Sequence, residues 1–321
     1  MYAVVALAAA AAAGATVGVT ALTADHPHRA AATTELRSGS PPLFLDLGVR
    51  TDAEAQALRR ALTLYDKGRH GEALAVFRRY HSLEARVGAA LSEWPQSLDS
   101  LLVLGRAYPG SAIVQLHVGL ARYWSGDGTA ANAAWATAAR DGPDTPYGVR
   151  AQDLLHPRMP PGVPMFVPSF PDPPELAKLS PPEQLAYLAR RARAGAAHDL
   201  LLYGVALQRL GRPLSAERDF AAAAAKAPHD ADAQVAAAVG RFTKDHPERA
   251  FSRLGPLVRV FPRAATVRFH LGLMLLWLGQ LDQAETEFEQ AVAEGPSTVL
   301  GRESKTFLDR LQSIRTSGRN K

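Results

Sequence analysis

The chain of 321 residues contains no cysteine. This absence excludes a disulfide framework, a thiol nucleophile and any metal site built on thiolates. A strong excess of charge is missing too, because 36 basic and 31 acidic side chains leave a net charge of only +5. So small an excess, without a focused basic patch, predicts no nucleic-acid partner.

The motifs of common enzyme classes are also missing. The sequence has no Gly-x-Ser-x-Gly, no His-Glu-x-x-His and no Walker loop. The segment from Gly126 to Ala131 matches a dinucleotide-binding fingerprint only loosely, because no strand is predicted before it. His26 and His28 form a pair without further metal ligands. We therefore predict that the chain is not an enzyme and has no catalytic residue, metal site or cofactor.

Hydrophobic residues make up 47% of the chain and charged residues 21%, which is typical of a folded globular protein. The sequence is rich in alanine, the residue with the highest helix propensity. We predict an all-α fold.

An uncharged run extends from Tyr2 to Ala24. As a helix, its 23 residues would reach about 35 Å, enough to cross a hydrocarbon core of about 30 Å. We predict that residues 1–24 form a transmembrane anchor or a signal segment. The length favours an uncleaved anchor, whereas cleavage after Ala21 or Ala24 would give a secreted protein. A buried helix of a soluble protein is a third interpretation.

The topology of such an anchor is ambiguous. Basic residues follow the run, at Arg29, Arg37 and Arg50, and none precedes it, which by the positive-inside rule favours a cytoplasmic body. Basic residues upstream of a different start would reverse this orientation. We expect a single-pass protein of the cell membrane with extracytoplasmic repeats, and the cytoplasmic side is the alternative.

Proline-containing segments divide the remainder of the chain. Residues 25–42 are polar, and residues 25–52 are predicted to form a juxtamembrane spacer. Residues 157–182 contain ten prolines and are predicted to form an extended connector. This leaves two helical lobes, an N-terminal one over residues 53–156 and a C-terminal one over residues 183–296. Residues 297–321 are predicted to form a basic capping helix and tail.

Several residue types recur with one period of 34 in the C-terminal lobe: Pro228, Pro262 and Pro296; Ala216, Ala250 and Ala284; Phe220, Leu254 and Phe288. The segment Ala112 to Pro143 aligns without gaps with Ala265 to Pro296. This pattern resembles the tetratricopeptide repeat (TPR) family, and together with the N-terminal run it resembles membrane-anchored bacterial members. The resemblance implies an α-solenoid of helix–turn–helix units beginning near Ala197, Ala231 and Ala265, with a weaker repeat from Glu54.

The resemblance also implies a binding surface on the first helix of each repeat, where partner proteins or peptides are held. The matching positions are Leu116, Leu120, Tyr123, Leu201, Val205, Gln208, Val235, Val239, Phe242, Phe269, Leu273 and Leu276. A core role is an equally good interpretation for each of them. The basic, asparagine-rich clamp of the chaperone-binding members is missing at these positions.

The function that follows is a non-catalytic, membrane-tethered scaffold or adaptor for protein–protein interactions, of the kind that serves envelope assembly or secretion. The alternative is a sensor or carrier that binds a small ligand or an apolar peptide. The partner and the oligomeric state are left open.

Two further features bear on the binding surface. His117 and His270 occupy equivalent repeat positions, which favours a shared packing role over a catalytic one. The connector carries the apolar side chains of Met165, Phe166, Val167 and Phe170. We expect Pro164 to Phe170 to pack against one lobe and set the angle between the lobes. A free linker and an external docking motif are the alternatives.

Overall fold

The computed structural model describes residues 39–319, with side chains up to residue 313. Within that range it contains fifteen α-helices and no strand, so the predicted all-α fold is confirmed. No helix among these residues is long and apolar enough to cross a membrane. The predicted anchor, residues 1–24, lies outside the described residues.

The helices fall into two compact units, and the boundary lies between Pro157 and Arg158. The N-terminal unit contains α1 to α7, which are Ala53–Asp66, His70–Phe77, Leu83–Ser92, Leu98–Ala107, Ala112–Trp124, Gly128–Asp141 and Pro146–Leu155. Consecutive helices pack as the hairpins α1–α2, α3–α4 and α5–α6, and α7 closes the unit against α6. The weak repeat expected from Glu54 corresponds to α1 and α2.

The C-terminal unit begins with a largely extended stretch and a short 3₁₀ helix, Pro174–Lys178. Its helices α8 to α15 are Pro181–Ala194, Ala197–Arg209, Pro213–Lys226, Ala231–Val239, Glu248–Val260, Ala265–Trp277, Leu281–Glu294 and Val299–Arg319. The three predicted repeats are the hairpins α9–α10, α11–α12 and α13–α14, and their first helices begin at the predicted Ala197, Ala231 and Ala265. The chain therefore has tetratricopeptide-like architecture.

Glycine ends the first helix of several hairpins. Gly68, Gly126, Gly211 and Gly279 all have positive φ, between 66° and 86°. A side chain would be strained in this left-handed conformation, and glycine adopts it freely. The glycine thus reverses the chain and sets the start of the second helix.

The two helices of a hairpin approach closely because an aromatic ring of the second helix lies on a glycine of the first. A Cβ atom added to Gly204 would lie 2.4 Å from Cε1 of Phe220. The equivalent Cβ at Gly272 would lie 2.8 Å from Phe288. These two glycines therefore allow the helices of their hairpins to approach closely.

The last helix of each unit is attached by the same local motif. Thr145 Oγ1 donates to the Gly142 carbonyl at 2.6 Å and accepts the Gly148 N–H at 3.1 Å. Thr298 makes the same two bonds, to Gly295 and Gly301. The two units therefore share their final hairpin and their closing helix in local detail.

Filling the space above Gly204 should destabilise the C-terminal unit. Gly204→Ala forces the Phe220 ring or the α9 backbone to move, at a cost of about 1–3 kcal/mol, against about 1 kcal/mol gained in helix propensity. We expect a net loss in the free energy of unfolding, measured by chemical denaturation.

Gly71→Ala, in α2 of the other unit, is the matched control, because a Cβ at this position meets nothing within 4 Å and no proline follows it. It should leave the protein as stable as before or more stable. Equal effects of the two substitutions would contradict the packing role of Gly204.

Candidate peptide-binding grooves

None of the twelve predicted binding residues is exposed. Nine are buried: Leu116, Leu120, Leu201, Val205, Gln208, Val235, Val239, Phe242 and Phe269. The other three, Tyr123, Leu273 and Leu276, are half-buried. Burial alone fits both a core role and a covered binding surface, so the groups that cover these residues must distinguish the two.

In the C-terminal unit the cover is a segment of the chain itself. Residues 163–170, called here the resident segment, lie on α9, α11 and α13, and this surface of the three helices is called the C-terminal groove. Phe166 is only 1% exposed, and its ring lies 5.6 Å from that of Phe220 and is stacked 5.1 Å from that of His270. The expectation that this part of the connector packs against one lobe is confirmed.

The C-terminal groove holds the resident segment mainly by its main chain. Gln208 Oε1 accepts the Phe166 N–H at 3.0 Å, and His270 Nε2 accepts the Val167 N–H at 2.9 Å. Asp232 Oδ2 accepts both the N–H and the O–H of Ser169, at 3.1 and 2.5 Å. Each of these donors belongs to the segment and each acceptor to a helix. The amide groups of an extended chain are thereby satisfied on a largely apolar surface.

A buried lysine fixes the beginning of this stretch. Lys244, 6% exposed, donates from Nζ to the Pro160 carbonyl at 2.7 Å. Lys244 lies beyond the end of α11, whereas Asp232 lies in its first turn. The resident segment therefore runs antiparallel to α11.

The protonation state of His270 follows from its partners. Nδ1 lies 2.7 Å from the Thr266 carbonyl, which can only accept, so Nδ1 carries the hydrogen. Nε2 then has a free lone pair for the Val167 N–H. Burial lowers the pKa of His270 to about 4, although the Thr266 carbonyl and the nearby Asp232 oppose the shift. The ring is therefore neutral at physiological pH.

The N-terminal unit repeats the arrangement with another segment. Residues 41–47, called here the N-terminal segment, are extended, and Leu43, Leu45 and Leu47 are buried. His117 Nε2 accepts the Phe44 N–H at 3.0 Å, while its Nδ1 lies 2.7 Å from the Ile113 carbonyl. Burial lowers the pKa of His117 to about 4 as well.

The two segments also match in spacing. The Tyr147 hydroxyl accepts the Asp46 N–H at 2.9 Å, two residues after Phe44. Asp232 accepts the Ser169 N–H, again two residues after the amide bound by histidine. The residue before that amide is buried in both units, 7% exposed for Leu43 and 1% for Phe166.

Part of this site is predictable from the sequence. The repeat register gives Gln208 and pairs His117 with His270, but Tyr147, Asp232 and Lys244 carry no repeat signal. Residues 41–47 were predicted to belong to the juxtamembrane spacer, but they pack into the N-terminal unit. The alternation of leucine at Leu43, Leu45 and Leu47 was the available signal for a half-buried extended segment.

A separate cleft of about 260 Å³ lies between α10, α11 and α12. It is lined by Ala221, Ala224, Ala225, Gln234, Ala237, Arg241 and Arg253, none of which belongs to the predicted binding surface. Its volume lies below the roughly 300–1,000 Å³ typical of small-molecule sites. It therefore does not favour the sensor or carrier interpretation.

No family model matches the sequence, and no curated protein matches it. Among solved structures, a chain of the APC/C hetero-tetramer Cut9–Hcn1 is 14% identical, aligned over 82% of this chain and 50% of that one, with a TM-score of 0.34. Yeast Tom70 is 13% identical over 82% of this chain and 54% of its own, with a TM-score of 0.32.

The complex of the TPR2AB domain of yeast Sti1 with pHSP90 gives 12% identity over 80% of this chain and 96% of that one, with a TM-score of 0.31. This chain spans about half the length of the Cut9–Hcn1 and Tom70 chains. With TM-scores below 0.5, these similarities say nothing about what it binds.

Removing the histidine acceptor should loosen the resident segment. His270→Leu leaves the Val167 N–H without its partner, which costs about 1–3 kcal/mol. Hydrogen exchange at the Val167 amide should then be faster by about tenfold or more. His246→Leu, an exposed histidine of the same unit, is the control and should change nothing at Val167. Unchanged exchange in His270→Leu would contradict the role of Nε2.

Acid should destabilise both units through these histidines. Their pKa is about 4 in the folded protein and 6.5 as the ordinary value, so between these limits the unfolded chain binds protons that the folded chain does not. The free energy of unfolding should therefore fall as the pH drops from 6.5 to 4, by roughly 3 kcal/mol per histidine.

Carboxylates titrate in part of this range, so the test is a comparison between variants. Wild type and the double variant His117→Leu/His270→Leu are denatured chemically at several pH values. The double variant should lose less stability on acidification. Parallel curves for the two proteins would contradict the assignment.

Proposed function

We propose that the chain is a non-catalytic scaffold or adaptor that binds protein partners through the inner faces of its two repeat units. One observation carries this proposal. The C-terminal groove already holds an extended peptide, the resident segment, by polar side chains directed at its main chain and by a pocket for Phe166. A surface with this chemistry suits a polypeptide ligand.

The twelve predicted binding residues are part of the proposal. Leu273 and Leu276 are half-buried and belong to the same apolar cluster as Val167 of the resident segment. In the N-terminal unit, Tyr123 is also half-buried. These three side chains are the ones that an incoming partner would meet first, because the other nine are covered.

Membrane tethering is a further part of the proposal. Its support is the uncharged run of 23 residues from Tyr2 to Ala24, long enough to span a bilayer as a helix. A tethered adaptor would hold partners near the membrane, as in envelope assembly or secretion. We favour the extracytoplasmic side.

Site-specific photocrosslinking tests the binding role. A photoreactive phenylalanine analogue replaces Leu276 in the full chain, which is expressed in its own cells and irradiated. We expect a discrete crosslinked partner, identified by mass spectrometry. With that partner purified, Leu276→Arg should weaken binding by at least about tenfold, because a charge enters an apolar contact.

Two controls accompany this experiment. The analogue at Val260, which is 64% exposed on α12, should not give the same crosslink. The crosslinked chain should sediment with membranes until detergent is added. The same partner captured from both positions, with an unchanged affinity for Leu276→Arg, would contradict binding by the inner face.

A further inference from the structure

We propose that the C-terminal groove is a receptor for a defined class of partner peptide, and that the resident segment occupies it as an exchangeable stand-in. The partner would carry an extended stretch with an aromatic residue, then any residue except proline, then any residue, then serine or threonine. This inference rests on the proposed function and names the partner class.

The motif follows from the contacts of residues 166–169. The aromatic position fills the pocket of Phe166 and needs an N–H for Gln208. The next position needs an N–H for His270, which excludes proline. The third position is Pro168, which has no N–H to offer. The fourth supplies an N–H and a hydroxyl to Asp232.

Most side chains of the resident segment are only partly buried against the C-terminal unit. Phe166 and Pro164 are buried, but Met165 and Val167 are half-buried and Ser169 is exposed. The segment is flanked by non-helical chain, from His156 to Pro173. Its release would therefore melt no helix.

The two units show that this mode of binding tolerates different sequences. Leu43-Phe44-Leu45 and Phe166-Val167-Pro168 differ at every position, yet each places an N–H on a buried histidine and a buried apolar side chain before it. Binding that depends on the main chain and one pocket can accept a second polypeptide.

Asp232 gives a reason why a partner would compete with the resident segment. Asp232 Oδ1 is buried and has no hydrogen-bond partner among residues 39–319, while Oδ2 accepts both bonds from Ser169. A buried carboxylate oxygen without a donor is unfavourable. A partner that brings one more donor to this position would satisfy Oδ1, which the resident segment leaves without a donor.

The test uses the full chain and a fluorescein-labelled peptide of residues 160–172. Phe166→Ala in the full chain vacates the aromatic pocket and should release the resident segment, seen as faster proteolysis within residues 159–170. By fluorescence anisotropy, this variant should bind the peptide at least about tenfold more tightly than the intact chain. A second variant replaces residues 163–170 with an equal length of glycine and serine.

Matched peptides and receptor variants locate the binding. A peptide with Val167→Pro should bind at least about tenfold more weakly than one with Val167→Ala, because only the first lacks the N–H. In the Phe166→Ala chain, His270→Leu should weaken binding by at least about tenfold. His246→Leu, at an exposed histidine of the same unit, should leave it intact.

Three results would overturn the inference. One is a folded variant with a released segment and no saturable peptide binding. Another is unfolding of both variants, which would make the segment a fixed part of the core. The third is a wild-type protein that light scattering shows to be a dimer and that Phe166→Ala makes monomeric. The segment in each groove would then come from a second copy of the chain. If photocrosslinking at Leu276 captures a partner but the peptide does not bind, this inference is wrong and the proposed function stands. If neither the crosslink nor peptide binding is observed, the proposed function is wrong too.

Discussion

The structure depends on one constraint, which is that an extended chain lying on an apolar helical surface must satisfy its main-chain N–H groups. Sheets meet this requirement with a neighbouring strand, and these units have none among the described residues. A buried, neutral histidine meets it instead in each unit, at His117 and at His270. The histidine can accept only because a carbonyl one turn earlier holds its other nitrogen as a donor. Burial away from water keeps the ring uncharged, and only the uncharged ring can accept the N–H of the segment. Burial therefore favours the protonation state that the hydrogen bond requires.

The repeated hairpins supply the frame for these histidines. Gly204 and Gly272 allow the aromatic rings of the second helices to lie directly on the first helices. The first helices then stand side by side, and α11 contacts both α9 and α13. Residues from three different repeats, Gln208, Asp232 and His270, can thereby reach one short segment. A single hairpin could not present all three.

Much of the frame could be predicted from the sequence, because its signals are local. Ala197, Ala231 and Ala265 were located by a period of 34. The occupants of the grooves could be predicted only in part. Val167 and His270 are 103 residues apart, and no local sequence pattern indicates which N–H group will donate to a buried histidine. Residues 41–47 were missed for a different reason. Their leucines are few and lie close to proline, so the alternation only weakly indicates a half-buried segment.

The prolines around the resident segment have a thermodynamic consequence. Pro164 and Pro168 have no N–H to donate. Among the described residues, no side chain of the groove accepts a hydrogen bond at these two positions. Proline also restricts the free chain to extended, polyproline-like conformations. The segment therefore loses little conformational freedom when it binds and regains little when it leaves. The strength of its attachment is then set mainly by contacts, so a few changes in the groove or in the segment can tune how long it stays in place.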